Sequence, residues 1–249
     1  MIAAGGAFFL LAACARGGKD ARSIAVDTRT GQGAEGESAF SNTRHLTPDT
    51  RLIVFLGTSL TAGLGLDPSQ AFPALIQRKL DAGHLRWRAV NAGVSGETSA
   101  GALRRLDWVL KDAPAILVVE TGANDGLRGL DVDTTRANLE ALVRRARMSV
   151  PGIRIVLAAM EAPPNLGARY TARFRAIYRE VATREHLALI PFLLAGVGGV
   201  DSLNQGDGIH PNVAGERIVA ANVWRVLEPL LRGGAAPTPD TRHPTPASP

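Results

Sequence analysis

A serine, an aspartate and a histidine brought into one site can transfer acyl groups, and this chain offers all three in suggestive surroundings. Ser59 lies in Gly57-Thr58-Ser59-Leu60-Thr61-Ala62-Gly63, and Asp207-Gly208-Ile209-His210-Pro211 sets a carboxylate three residues ahead of an imidazole. A serine hydroxyl is a weak nucleophile until a base takes its proton. That base in turn needs a partner to fix its tautomer and stabilise its cation. Ser59, His210 and Asp207 are the candidates for these roles. The tetrahedral intermediate of acyl transfer also needs donors aimed at its oxyanion. Asn91-Ala92-Gly93 and Gly122-Ala123-Asn124-Asp125 supply further groups, so Ser59 N–H, Gly93 N–H and the Asn124 side-chain amide form the candidate set.

Plainer readings compete with each assignment. Ser59 has the chemistry of a turn or helix-cap residue, Gly93 that of a tight turn, and Asn124 that of a cap. His210 with Asp207 supplies too few ligands for a metal, and no nearby His or Cys completes such a site, so no metal is expected. The other histidines, His45, His84, His186 and His243, receive no function.

These residues work together only if distant segments converge, and the hydrophobic pattern says how. Residues 51–56 form an apolar strand, and Phe72, Leu75, Ile76 and Leu80 recur at helical spacing over 72–82. Strands are expected again over 86–91, 116–120, 153–159 and 188–190, and helices over 99–110, 134–148, 169–185 and 211–231, the last with Pro211 in its first turn. The run 116–120 is almost pure Ile, Leu and Val, which marks a strand covered on both faces. Strand-helix alternation implies an α/β fold with a parallel sheet between helical layers. Its sites lie in loops at the carboxyl ends of the strands. Every candidate above falls in such a loop. Trp87, Trp108 and Trp224 are expected in the core.

At 249 residues the chain holds one full domain. The formal net charge is +5, but the basic residues are mostly scattered arginines, and aromatic residues make up only 5%. No stripe suited to a phosphate backbone and no stacking platform emerges, so nucleic acid is not an expected partner. The single cysteine, Cys14, excludes an internal disulfide and a multi-thiolate zinc site.

Gly-Thr-Ser-Leu around Ser59, Gly93, Gly-x-Asn-Asp around Asn124 and Asp-x-x-His ending at His210 resemble, in order, the blocks of the SGNH/GDSL hydrolase family. The resemblance runs from about residue 51 to residue 231. It makes Ser59, Gly93, Asn124 and His210 the counterparts of the family's four letters. Asn124-Asp125-Gly126-Leu127-Arg128-Gly129, and the stretch from Pro164 through Tyr170 and Tyr178 to Pro191-Phe192, resemble its group of acyl-CoA thioesterase I, lysophospholipase and arylesterase. The resemblance implies a three-layer α/β/α sandwich with a five-stranded, flavodoxin-like parallel sheet. It also implies hydrolysis of carboxylic esters or thioesters through an acyl-enzyme, no cofactor, and a substrate loop after Asn124. Thr58 stands where the family has Asp, with a hydroxyl able to bond locally. Asp125 is expected to support the Asn124 loop, and Asn165, Leu166 and Tyr170 to line an acyl groove.

Residues 1–13 are uncharged and mostly apolar, and Leu11-Ala12-Ala13-Cys14 resembles the box cut before a lipid-modified cysteine. The expected organisation is a lipoprotein signal peptide over 1–13, a flexible tether over 14–49, the hydrolase domain over 50–232 and a disordered Pro-rich tail over 233–249. The expectation is a monomer exported and held at the periplasmic face of a bacterial envelope by lipid on Cys14. Its substrate would be an acyl ester or thioester, a lysophospholipid among them. A cell-envelope carbohydrate O-deacetylase and a catalytically silent surface binding lipoprotein remain the alternatives.

Overall fold

Branched aliphatic side chains build the middle of the molecule, where a sheet covered on both faces requires them. The computed structural model describes residues 50–234. The chain divides into two units, Met1–Arg44 and His45–Pro249, and every described residue belongs to the second. The expected signal peptide, Cys14, the tether and residues 235–249 of the tail lie outside the described residues.

Strands β1 (Arg51–Gly57), β2 (Trp87–Gly93), β3 (Ile116–Val119), β4 (Arg154–Ala158) and β5 (Ala188–Ile190) form one five-stranded sheet in the order β2-β1-β3-β4-β5. Every neighbouring pair is parallel. Between and after them run α1 (Ser59–Ala62), α2 (Phe72–Ala82), α3 (Ser99–Val109), α4 (Ala123–Leu127), α5 (Val132–Ser149), α6 (Ala168–Arg184) and α7 (Val213–Leu231). α2 packs on α7, whereas α3 packs on α5 and α5 on α6. Right-handed crossovers on either side of β1 put these two groups on opposite faces, giving the three-layer sandwich. The strand order reverses at β1, and ligands of open parallel sheets bind beyond the carboxyl ends at such a reversal. Ser59 follows β1 by two residues and Asn124 follows β3 by five.

The structure differs from the sequence-based expectation in several places. Asn91 and Gly93 belong to β2 itself rather than to the loop beyond it, because β2 stays paired with β1 as far as Gly57↔Gly93. α7 starts at Val213. Asn212 caps it by accepting the N–H groups of Ala214 and Gly215, and Pro211 lies outside the helix in a bridge to Asn204. Trp108 is 63% exposed on the outer side of α3 and is no core residue, unlike buried Trp87. The short helices α1 and α4 interrupt segments that read as loops, since neither is long enough to show a period.

Glu216, in the first turn of α7, is buried and accepts the N–H of Phe72 at 2.7 Å. Phe72 opens α2, whose cap residue Ala71 has no side chain able to accept it. One helix thus caps another across the layer. Burial raises the Glu216 carboxyl to about 8, the Phe72 N–H opposing and the charge of Glu120 adding. The folded state holds this proton more tightly than the unfolded chain, whose carboxyl titrates near the ordinary 4.5. The stability it contributes is therefore fully present below pH 4.5 and is lost as pH rises through about 8. Glu216→Gln keeps the acceptor without the titration, and urea unfolding across that range is expected to give a flatter pH dependence than the parent. An unchanged slope would assign the pH dependence to another group.

Candidate active site

The nucleophile turn is built on a buried carboxyl. β1 ends at Gly57, and Ser59 stands at the first position of α1. Glu120, next after β3, is buried at the head of the turn, and its Oε2 accepts the Thr58 N–H at 2.8 Å and the Thr61 hydroxyl at 2.8 Å. The Thr58 hydroxyl lies 3.0 Å from Oε1 and 3.1 Å from Oε2. A Cβ at Gly57 would meet Thr61 Oγ1 at 1.9 Å and Glu120 Oε2 at 2.7 Å, so only glycine admits this packing. Burial pushes the Glu120 carboxyl up, and its hydrogen bonds to Thr58 and Thr61 pull the other way. The hydroxyl of Thr58 therefore bonds across to the next strand, not within its own turn.

The loop after β5 meets this turn from the far side. His210 Nε2 lies 2.8 Å from Ser59 Oγ, and His210 Nδ1 lies 2.6 Å from Asp207 Oδ2. Asp207 Oδ1 accepts the N–H groups of Ile209 at 2.9 Å and His210 at 3.0 Å, so the carboxylate orders the loop that carries the imidazole. Those bonds, led by the His210 N–H and then the His210 ring, hold the Asp207 carboxyl far below the usual carboxylate range. Its side chain is 46% exposed, and this access to water favours the ionised form as well. A proton shared with Asp207 fixes Nδ1 as the protonated nitrogen, leaving Nε2 to face the serine hydroxyl as a base.

The donor set for an oxyanion differs from the sequence-based one. Ser59 N–H, in the first turn of α1, has no intrahelical acceptor. The Asn124 amide donates one N–H to Glu97 O at 2.9 Å and retains a second. The N–H of Gly93 is engaged by Asn91 Oδ1 at 2.9 Å. A Cβ at Gly93 would fall 2.3 Å from Ala62 N and 2.8 Å from Thr58 O, so the glycine is there to let β2 close against the nucleophile turn. Gly93 is thus corrected from oxyanion donor to packing residue. A further candidate follows it: Gly96, at φ +77 in a turn closed by Glu97 N–H to Val94 O at 3.2 Å. Its N–H has no acceptor among the described residues. The turn is tied to β1 by Val94 N–H to Gly57 O at 2.9 Å and to Asn124 through Glu97 O. The sequence signal was Ser95-Gly96, a turn pair that demands positive φ at its glycine.

Arg105 buttresses the same turn, pairing with Glu97 at 2.7 Å and donating to Gly57 O at 3.2 Å. Asp125 is buried; it accepts Ser99 N–H at 2.8 Å, the Ser99 hydroxyl at 2.5 Å and the Thr135 hydroxyl at 3.2 Å. These bonds fasten α4, and Asn124 with it, to α3 and α5. Among the described residues no cluster of three or more His, Cys, Asp or Glu is placed to hold a metal.

Residues 55–218 match the GDSL-like lipase/acylhydrolase family. The chain belongs to that family. Esterase TesA of Pseudomonas aeruginosa is 44% identical over 190 residues, which span 76% of this chain and 92% of that protein. Thioesterase 1/protease 1/lysophospholipase L1 of Escherichia coli is 36% identical over 184 residues, 74% of this chain and 85% of that one. Among solved structures, that of TesA gives a TM-score of 0.69 at 43% identity and covers 72% of this chain and 99% of its own. Esterase EstA from Pseudoalteromonas sp., inhibited there by monoethylphosphonate, gives 0.69 at 33% identity with coverage of 73% and 99%.

Beside the core of this GDSL-like domain lie the residues expected to line a groove. Leu166 is half-buried and its Cδ2 lies 3.6 Å from where a Cβ on Gly129 would stand, while Asn165 is exposed. The Tyr170 hydroxyl donates to Leu130 O at 2.6 Å, and its ring stacks on Phe174 with centroids 6.1 Å apart. The segment 164–170 therefore contacts the loop after α4.

Two substitutions test this account. Thr58→Val removes a donor from a buried carboxyl at nearly constant volume and is expected to cost about 1.5–3 kcal/mol of stability, read by urea unfolding. Asp207→Asn retains the shape of the loop but frees the imidazole tautomer; ester turnover by the folded variant is expected to fall on the order of 10³–10⁴-fold.

Proposed function

We propose that this chain is a serine esterase hydrolysing carboxylic esters or thioesters through an acyl-enzyme, with Ser59 as nucleophile, His210 as base and Asp207 as the group that orients it. One observation carries the reading: Ser59 Oγ, His210 and Asp207 form a continuous chain of contacts at 2.8 Å and 2.6 Å. Ser59 Oγ attacks the substrate carbonyl carbon as its proton passes to His210 Nε2. The oxyanion is met by Ser59 N–H, Gly96 N–H and the free N–H of Asn124. The intermediate collapses, the C–O or C–S bond breaks, and the leaving alcohol or thiol takes the proton from His210. Water then attacks the acyl-serine, His210 taking its proton. Release of the acid returns that proton to Ser59.

The substrate side of the proposal rests on exposed apolar groups. Leu64, Val94, Leu130 and Ile209 on loops, and Leu127 at the end of α4, are all exposed in segments that follow the carboxyl ends of the strands. With Leu166 and Tyr170 they suit an acyl chain longer than acetyl, as a lysophospholipid or a long-chain thioester carries. Asn165, exposed in the same segment, completes the proposed groove. The proposal includes export and acylation at Cys14, supported by Leu11-Ala12-Ala13-Cys14, with the monomer tethered at the envelope and facing lipid substrates. Among the described residues no helix is long and apolar enough to cross a membrane. Incorporation of labelled palmitate that is lost in Cys14→Ser tests the anchor.

Hydrolysis of p-nitrophenyl esters from acetate to palmitate by the purified protein and by Ser59→Ala tests the chemistry. Turnover abolished in the variant, with a preference for medium or long chains in the parent, is the expected outcome. Turnover of acetate alone would point to a carbohydrate deacetylase instead. Folded protein inert to every ester and to a fluorophosphonate would point to a silent binding protein.

A further inference from the structure

The contact between Ser59 and His210 joins two loops that leave the sheet at different strands, and the loop carrying the histidine is poorly restrained by its own sequence. Between Gln205 and His210 it contains Gly206 and Gly208, the latter at φ +69, and Asp207 within it is largely exposed. Such a segment loses much backbone freedom when ordered. Gln205 holds it at both ends. Its N–H donates to His210 O at 2.7 Å, its carbonyl accepts Gly208 N–H at 2.9 Å, and its side-chain Nε2 donates to Pro211 O at 3.0 Å.

The same Nε2 also donates to Leu64 O at 2.7 Å. Leu64 belongs to the nucleophile segment, where its own N–H donates to Ser59 O at 3.0 Å. Both partners of Nε2 are carbonyl oxygens, which fixes the amide orientation as nitrogen inward. Gly65 makes room for this arrangement: a Cβ there would lie 2.2 Å from Gln205 Oε1. A backbone-to-backbone path therefore runs from Ser59 through Leu64 and the Gln205 amide to Pro211 and His210. It is separate from the hydrogen bond that the reaction uses.

We propose that Gln205 is a positioning residue that sets the Ser59–His210 distance by clamping the nucleophile turn to the histidine loop. It touches neither substrate nor the reacting atoms. This inference rests on the triad reading above. A single amide suffices because it satisfies two carbonyls that belong to two different loops, so neither loop can move without breaking one of its bonds. Proton transfer is sensitive to displacement well below the length of those bonds.

The test compares Gln205→Ala and Gln205→Glu in the full chain, with kcat referred to active sites titrated by a fluorophosphonate, and with Ser59→Ala as the reference for the triad itself. Both variants are expected to lose about ten- to a hundredfold in kcat per titrated site with KM little changed. The glutamate is nearly isosteric but turns acceptor oxygens toward two carbonyls, so a role in filling space alone would leave it active. If Ser59→Ala is inert while both Gln205 variants keep kcat per titrated site within about twofold of the parent, the clamp is wrong and the triad stands. If Ser59→Ala still turns over substrate, the triad reading fails first. A melting temperature lowered in both variants with kcat per titrated site unchanged would make Gln205 a stabilising residue only and overturn the proposal.

Discussion

A hydrogen bond of 2.8 Å between Ser59 Oγ and His210 Nε2 joins residues 151 positions apart, and most of the structure around the site serves to keep that distance. Covalent connection does nothing to hold it, because the intervening chain passes through four of the five strands. The sheet does the coarse placement. Reversal of strand order at β1 opens a crevice beyond the carboxyl ends, and the loops after β1, β2, β3 and β5 bring the serine, the Gly96 turn, Asn124 and the histidine to the same edge. Within that crevice the final placement depends on polar contacts between loops, since apolar packing is too permissive to orient a hydroxyl.

Those contacts come at a cost in desolvation. Glu120, Asp125 and Glu216 are all buried at or near the base of the site. A buried carboxyl is stable only when donors surround it. Each has them: two threonine hydroxyls and an N–H for Glu120, the whole first residue of α3 for Asp125, and the first N–H of α2 for Glu216. The carboxyls thus tie the nucleophile turn to β3, α4 to α3, and α7 to α2. Rigid elements, rather than long flexible side chains, carry the alignment to the reacting atoms. Asp207 is the exception, a carboxylate near the surface, kept charged by the N–H groups of its own loop.

How much of this is legible in the sequence depends on how local its cause is. Strands buried on both faces and helices with one apolar face announce themselves by period, so the alternation, the parallel sheet and the strand-end positions of Ser59, Asn124 and His210 can be read directly, though not the short helices α1 and α4 that carry the first two. Asp207 and His210 stand three residues apart, which permits their pairing, and the resemblance to the family's Asp-x-x-His block makes it expected. Glu120 is invisible by the same criterion. It follows four apolar residues as an apparent strand end, and only the register of β3 beside β1 puts its carboxyl at Thr58, 62 residues away. Gly93 misleads for a related reason. A glycine near a site suggests a backbone donor, but the approach of Ala62 that excludes a side chain is a contact between segments no local pattern encodes. Trp108 stands in the apolar stripe of no neighbour, and its ring lies beside the Lys111 ammonium at 5.4 Å instead of in the core.

Thr58 is the residue at which this chain departs from the aspartate of its family, and Glu120 gives the departure a physical reading. A carboxylate at position 58 would lie about as close to Glu120 as the threonine hydroxyl does, in a dry environment where two carboxylates cannot both ionise and one must take up a proton. The hydroxyl avoids that conflict. It donates to the carboxyl already present, as does the neighbouring Thr61, and the backbone N–H of Thr58 donates alongside them. The turn is then ordered around one buried carboxyl instead of two. That carboxyl follows β3 directly and accepts from Thr58 and Thr61, so the nucleophile turn is held from the neighbouring strand.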